Sequence, residues 1–281
     1  MKKRRLTDRA IRKFEGYLRE EEKSKATIEK YIHDIRVFAS FANHRNICKK
    51  IVMQYKGKLF ERAYAVASIN SMLASLNSLF SFLGWTDCRI KSVKIQRQVY
   101  CSEDRELTKE EYMQLVHTSK QMGRERLSLL LQTICGTGIR VSELQFITVE
   151  ATKRGKAAVS CKGKTRSVFI VPALQKKLLR YAAEQKIPSG PIFITRSGNP
   201  VSRTNIWREM KRLCTEANVR PEKVFPHNLR HLFARIFYSL EKDIAKLADI
   251  LGHSSIDTTR IYIISTGVEH RKKMEHMRLI I

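Results

Sequence analysis

From Leu6 to about Leu83 the apolar residues recur at steps of three and four. Ile11, Phe14 and Leu18 begin the pattern; Ile28, Tyr31, Ile32, Ile35 and Phe38 continue it; Ala67, Ile69, Leu73, Leu76, Leu79, Phe80 and Leu83 close it. That period places them on one face of successive helices and predicts a small all-helical domain over residues 1–88, with Gly84 as the stop after the last periodic position. From Cys88 to Arg105 the period lapses while the charge persists, which predicts a linker over 89–105. Thr108 and Glu111, three apart just before a new apolar run, form a capping-box pattern. They open a second domain over 106–281.

In the second domain, Leu127 to Cys135 reads as a buried helix broken by Gly136 and Gly138, two glycines that permit tight or left-handed backbone and project Arg140 from the start of a new helix at Val141. Ala157 to Pro172 changes to a strand pattern, two short strands about a Lys-Gly-Lys turn. Helical signals resume at Ala173, and Ser202 is placed to cap the helix that carries Trp207 and Met210. The predicted fold class is mainly α with a small antiparallel β-sheet, in two domains.

Charge narrows the partner. Lys and Arg number 54 against 27 Asp and Glu, a net charge of +27. Residues 1–100 hold 22 basic and 9 acidic residues and residues 101–281 hold 32 and 18, so the excess is +13 and +14 and belongs to both halves, not to a tail. Such self-repulsion favours a polyanionic partner, although a generic basic protein would satisfy charge alone. No apolar run approaches the ~20 residues of a membrane span, and the start, MKKRRLTDRAIRKF, lacks a signal-peptide hydrophobic stretch. The expectation is a cytoplasmic protein without membrane contact. Six scattered cysteines with no metal-ligand spacing read as free thiols, with no metal site.

Candidate chemistry clusters in three segments: GTGIRVSEL with Arg140, PHNLRH with His227 and Arg230, and LGHSSIDTTRIY with His253 and Tyr262. Guanidiniums hold non-bridging phosphate oxygens, imidazoles move protons, and a phenol is a nucleophile; together they are what a metal-free attack on a phosphodiester needs. Singly, each has a plainer reading. An Arg after a glycine turn is usually a surface charge, Lys162 and Lys164 at a hairpin tip are ordinarily solvated, and a tyrosine flanked by isoleucines usually buries its ring in a core.

The joint order of GTGIRVSEL, KGKTR, HNLRH and LGHSSIDTTRIY resembles the catalytic domain of the tyrosine recombinases, the family of phage integrases and Xer recombinases. KATIEKYIHDIRVFASFA at 25–42 resembles the start of that family's helical core-binding domain, and KDIAKLADILGHSSIDTTRIYI is similar to integrases of firmicute mobile elements. The resemblance implies a two-domain DNA clamp that cuts and rejoins DNA through a 3′-phosphotyrosyl intermediate, without metal, ATP or cofactor. It implies Tyr262 as nucleophile, Arg140 and Arg230 as the phosphate clamp, His227 for proton transfer, His253 on the scissile phosphate and Glu143 orienting Arg140. A hairpin lysine is the implied general acid. Lys162 matches by order and Lys164 by distance to Arg166, because KGKTR is one residue shorter than the family's pattern; Lys162 is taken as the general acid and Lys164 as its alternative. The implied partners are double-stranded DNA and three further copies of the chain, a homotetramer on paired sites from a largely monomeric free protein, with accessory proteins allowed for. The implied interprotomer contact is the tail after Tyr262, with Val268, Met274, Met277 and Leu279–Ile281. The alternatives are DNA relaxation of the type IB topoisomerase kind and a catalytically silent DNA-binding regulator.

Overall fold

Thr7 and Ser24 start the first two helices by accepting the backbone N–H of Ala10 and of Thr27, each three residues ahead. This satisfies donors that the first turn of a helix leaves without partners. The structure is a computed structural model; it describes residues 4–94, 106–161, 164–253, 255–262 and 275–277, apart from the side chains of Cys161 and Lys164. The chain forms two units, residues 1–97 and 98–281. Most of the tail beyond Tyr262 lies outside the described residues.

The first unit contains α1 (Asp8–Glu20), α2 (Lys25–Ala42), α3 (Lys49–Glu61) and α4 (Val66–Phe82). Its core is the predicted stripe: Phe14, Ile35, Phe38, Leu73, Leu79 and Phe80 are fully buried. Ala67 departs from the expectation. It is exposed, and the buried stripe of α4 begins at Ile69. Gly84 takes φ +70 and so ends α4 in the left-handed conformation expected of a helix stop.

The segment after Cys88 differs from its reading as the start of a linker. Asn77 gives its amide Nδ2 to the Ile90 carbonyl at 2.9 Å and accepts the Ile90 N–H at 3.1 Å. Asn70 repeats this with Val93, at 2.9 and 2.7 Å. Each amide replaces a strand partner. Seven residues of helix rise about 10.5 Å and three residues of extended chain cover about 10 Å, so the two spacings match and Arg89–Lys94 is strapped along α4.

The second unit runs α5 (Lys109–Gln121), α6 (Glu125–Thr137), α7 (Val149–Lys153), β1 (Lys156–Cys161), β2 (Lys164–Phe169), α8 (Pro172–Glu184), α9 (Arg203–Glu216), α10 (Pro226–Glu241), α11 (Ile244–Leu251) and α12 (Ile256–Arg260). The capping box of Thr108 and Glu111 forms in full, and Ser202 caps α9 by accepting from Asn205. α6 is buried nearly all round from Leu127 to Cys135 and packs against α5, α8, α9 and α10, with the Thr133 hydroxyl bonded back to the Leu129 carbonyl of the same helix. β1 and β2 pair antiparallel from Lys156↔Phe169 to Cys161↔Lys164. The mainly helical class with one small sheet is what the chain adopts. The four cysteines whose side chains are described, Cys48, Cys88, Cys135 and Cys214, are free thiols, and no helix among the described residues is long and apolar enough to cross a membrane.

The strap yields a stability prediction. Asn77→Ala leaves the Ile90 N–H and C=O without partners in a half-buried groove, and should lower the stability of the first unit by about 1–3 kcal/mol. Asn77→Asp, which keeps only the acceptor, should recover part of that loss in denaturant melts. Equal stability of Asn77→Ala and the wild type would mean the strap contributes nothing.

Candidate active site

α6 runs through Gly136 and ends at Gly138, which alone takes the left-handed conformation, φ +63. Only one of the two glycines breaks the helix. A Cβ at Gly138 would stand 2.5 Å from Cδ1 of Phe233 and 3.0 Å from Cδ2 of Leu251, so both conformation and space call for glycine. The chain then extends through Arg140 and closes into a 3-10 helix, Val141–Phe146, in place of the expected α-helix. Glu143 explains the tightness: its Oε2 accepts the Arg140 backbone N–H at 2.9 Å while its Oε1 accepts from Arg140 Nη1 at 2.9 Å.

Glu143 is buried, and its Oε2 also receives Arg166 Nη2 at 2.6 Å. Burial by itself would raise its carboxyl; the backbone N–H of Arg140 and the charges of Arg166 and Arg140 outweigh that and hold it below the usual carboxylate range. One carboxylate thus ties two arginines from separate elements. Arg166 was not among the predicted site residues. It shares the inward face of β2 with buried Val168, two positions on, and that alternation was its available signal.

α11 supplies the other fixed points. Asp243 caps its start by accepting from Ala245 and Lys246. At its end Gly252 takes φ +65, and the His253 N–H bonds back to the Ala248 carbonyl. The three carbonyls of Ile250, Leu251 and Gly252 accept in turn from Arg166 Nη1 at 2.9 Å, Arg230 Nη2 at 2.7 Å and Arg140 Nη2 at 3.3 Å. Such carbonyls have no partner within the helix and lie at its negative pole, where cations are favoured. Arg230 is 1% exposed; its Nη1 donates to the Gly138 carbonyl, and its Nε is buried without a well-formed hydrogen bond among the described residues. Burial, then the charge of Arg140, lowers its pKa to about 10, still well above neutrality.

Around this base lie the imidazoles and the phenol. Arg230 Nη2 stands 2.9 Å from His253 Nε2, and His253 Nδ1 stands 2.8 Å from Thr259 Oγ1. A guanidinium cannot accept, so Nε2 carries the lone pair and Nδ1–H donates to Thr259. Tyr262, 6% exposed, places its hydroxyl 3.3 Å from His227 Nε2. The Tyr262 ring stacks on His231, with centroids 4.1 Å apart and planes at 22°. His231 was also not predicted, though it stands one turn of α10 after His227 in the same HNLRH segment.

Six of the eight candidates therefore meet in one place: Arg140, Glu143, His227, Arg230, His253 and Tyr262. Lys162 lies outside the described residues. Lys164 begins β2 opposite Cys161, but its side chain is also outside them. No group of three or more metal-ligating His, Cys, Asp or Glu occurs among the described residues.

Residues 105–267 match the phage integrase family and residues 11–87 match the phage integrase N-terminal SAM-like domain. The chain belongs to the phage integrase family. It is 28% identical to tyrosine recombinase XerA of Pyrococcus furiosus over 290 aligned residues, covering 100% of this chain and 98% of that protein. It is 30% identical to tyrosine recombinase XerA of Thermococcus kodakarensis, covering 96% and 95%. A lambda integrase tetramer bound to a Holliday junction shares the fold at TM-score 0.74 and 17% identity, over 90% of this chain and 76% of that one. As a member with the XerA recombinases as full-length relatives, the chain is a tyrosine-type site-specific recombinase; neither the topoisomerase-like nor the silent-regulator alternative is favoured.

The histidines carry a pH signature. Burial first, then the neighbouring cations, lowers His231 to about 4 and His253 to about 4, and lowers His227 as well. In the unfolded chain these groups protonate near their ordinary 6.5. Acidification therefore protonates the unfolded state first. The stability contributed by the neutral imidazoles is full above about pH 6.5 and falls away between there and pH 4. Thermal melts without DNA should show that loss across this window. His253→Asn and His231→Phe should each make it shallower, and an unchanged slope in both would place the acid transition elsewhere.

Proposed function

We propose that this recombinase cuts DNA with the Tyr262 hydroxyl, and the observation that carries the reading is the contact of that hydroxyl with His227 Nε2 beside the carbonyl-held arginines. The phenol oxygen attacks the phosphorus while its proton passes to neutral His227 in the tautomer that leaves Nε2 unprotonated. The P–O5′ bond breaks, leaving a 3′-phosphotyrosyl bond and a 5′-hydroxyl. The proton for that leaving oxygen comes from the hairpin, from Lys162 or Lys164, an ammonium being suited to donate it. Attack by a 5′-hydroxyl of a partner strand reverses the step, so bond energy is kept and neither ATP nor hydrolysis is required.

Arg140 and Arg230 hold the non-bridging oxygens, where the negative charge of the pentacoordinate transition state grows. Glu143 orients Arg140. His253 donates to the same phosphate once its Nε2 is released from Arg230 Nη2 and protonated, a change the charge of a bound phosphate favours by raising a depressed pKa and by drawing that guanidinium to itself.

The partner is double-stranded DNA, which the net charge of +27 suits. The assembly is a homotetramer on paired sites formed from a largely monomeric free protein, in keeping with the tetrameric lambda integrase of the same fold, and accessory proteins can join it. The compartment is the cytoplasm.

Two tests follow from these roles. Tyr262→Phe removes one oxygen and should abolish covalent linkage to a nicked suicide substrate while DNA affinity stays within about two-fold; wild-type levels of adduct would end the assignment of the nucleophile. Arg140→Lys and Arg230→Lys should each slow cleavage by about 100-fold or more, because a lysine presents a point charge and no planar fork. Full activity in both would reduce these arginines to general DNA attraction.

A further inference from the structure

His231 stands in the middle of the site, yet none of the roles above uses it. It lies on α10, one helical turn beyond His227 and next to Arg230, so both imidazoles face the same way. His227 meets the edge of the His231 ring at 4.8 Å and 83°, and Tyr262 lies flat over His231 at 4.1 Å and 22°. The other two aromatic approaches to Tyr262 are not flat: His227 at 5.3 Å and 67°, His253 at 5.1 Å and 39°. Tyr262 also sits just after α12, a helix of five residues, and packs with Ala234, Leu247 and Leu251 in a small satellite of the core. The Arg230 guanidinium also lies over the Tyr262 ring, with Cζ 6.0 Å from its centroid, and of the three imidazoles His231 is the nearest and flattest.

We propose that His231 is a positioning residue for the nucleophile: its ring face is the platform that fixes the plane of Tyr262 and so directs the phenol oxygen to His227 Nε2. The proposal rests on Tyr262 being the nucleophile. Three features support a stacking role over a proton-carrying one. The Tyr262 hydroxyl already has His227 as its hydrogen-bond partner. Stacking puts the imidazole against the phenol face, away from the line along which the oxygen must attack. The groups around His231, namely His227, Arg230, Arg235 and His253, all oppose a positive charge on it, and Arg235 is itself fixed by Glu106 and the Leu107 carbonyl. A neutral, flat, held ring is what a platform requires. Attack geometry is sensitive at this scale, since a reacting oxygen must sit about 3–3.5 Å from phosphorus and in line, and a tilt that moves it by about 1 Å costs about 100-fold.

The discriminating pair is His231→Phe, a ring without nitrogen, and His231→Gln, a polar amide without a ring. Both are assayed as full-length protein for single-turnover covalent complex formation at saturating nicked DNA, with DNA affinity measured alongside. The wild-type adduct is first mapped by peptide sequencing; an adduct on another residue would overturn the reading of Tyr262 and leave the platform without an object. With the adduct on Tyr262, His231→Phe should cleave within about three-fold of wild type. His231→Gln should be slower by at least ten-fold, with affinity changed by less than two-fold in either variant. A rate effect without an affinity effect separates positioning from a general loss of structure. If His231→Gln is active and His231→Phe is not, the nitrogen matters and the platform is wrong; if both match wild type, or both fail with binding intact, it is equally wrong. Should His231→Gln fail to fold, His231→Phe and His231→Tyr remain as the ring-bearing tests, and slow cleavage by both with intact binding overturns the proposal.

Discussion

Ile250, Leu251 and Gly252 offer three successive carbonyls at the end of α11, and three arginines from three different parts of the chain take one each. Guanidiniums do not gather unaided. Two unit charges about 6 Å apart repel by about 3 kcal/mol at an effective dielectric near 20, whereas a hydrogen bond to a charged group returns about 1.5–3 kcal/mol. The carbonyls therefore roughly match the repulsion, and buried Glu143, bonded to two of the three arginines, tips the balance toward assembly. Without that helix end, the β2 strand, α10 and the 3-10 turn would have no common point to which their charges could be fixed.

The same turn sets the position of Tyr262. Gly252 must be left-handed for the chain to leave α11, and His253 is the next residue, its imidazole locked between Arg230 and Thr259. Space at Gly252 is as restricted as its conformation: a Cβ there would lie 2.2 Å from Cδ of Arg166. That arginine is bonded to both Glu143 and Ile250, so it cannot swing aside at low cost. Arginines, imidazole and phenol are thus positioned by one short stretch, 250–262, so a shift in that stretch moves them together.

How much of this could be read from the sequence depended on what each residue does locally. The helices of the first unit were legible because Ile11, Phe14, Leu18, Ile35 and Phe38 repeat at the helical period; α3 was less so, because it buries only Val52, Tyr55 and Leu59 while Met53 and Phe60 face outward. Thr108 and Ser202 were legible as caps because capping is a matter of three adjacent residues. The straps of Asn70 and Asn77 were not, since they join positions 13 and 23 residues apart by side-chain geometry alone. In the site, Arg140, His227, Arg230, His253 and Tyr262 could be picked out together by their order. Arg166 and His231 stood outside that order: the alternation of Arg166 with Val168 and the one-turn spacing of His231 from His227 were their signals, and neither says what the side chain touches until the fold brings the partners together.

A site with three arginines and one nearby carboxylate is short of negative charge, and the structure handles this by keeping its histidines neutral. Burial and the surrounding cations hold His231 and His253 at about 4, so neither adds to the excess at neutral pH. A phosphate entering among Arg140, Arg230 and His253 would reverse the field at those same atoms. It would meet guanidiniums already held in place, so little reorganisation is left for the reaction itself, which is the condition under which fixed dipoles lower a barrier most. It would also raise the depressed pKa of His253, whose Nε2 could take a proton only by giving up the bond it accepts from Arg230 Nη2. With the roles proposed above, the excess charge held by α11 is what a phosphodiester would neutralise, and the carbonyls at that helix end hold the guanidiniums together without one.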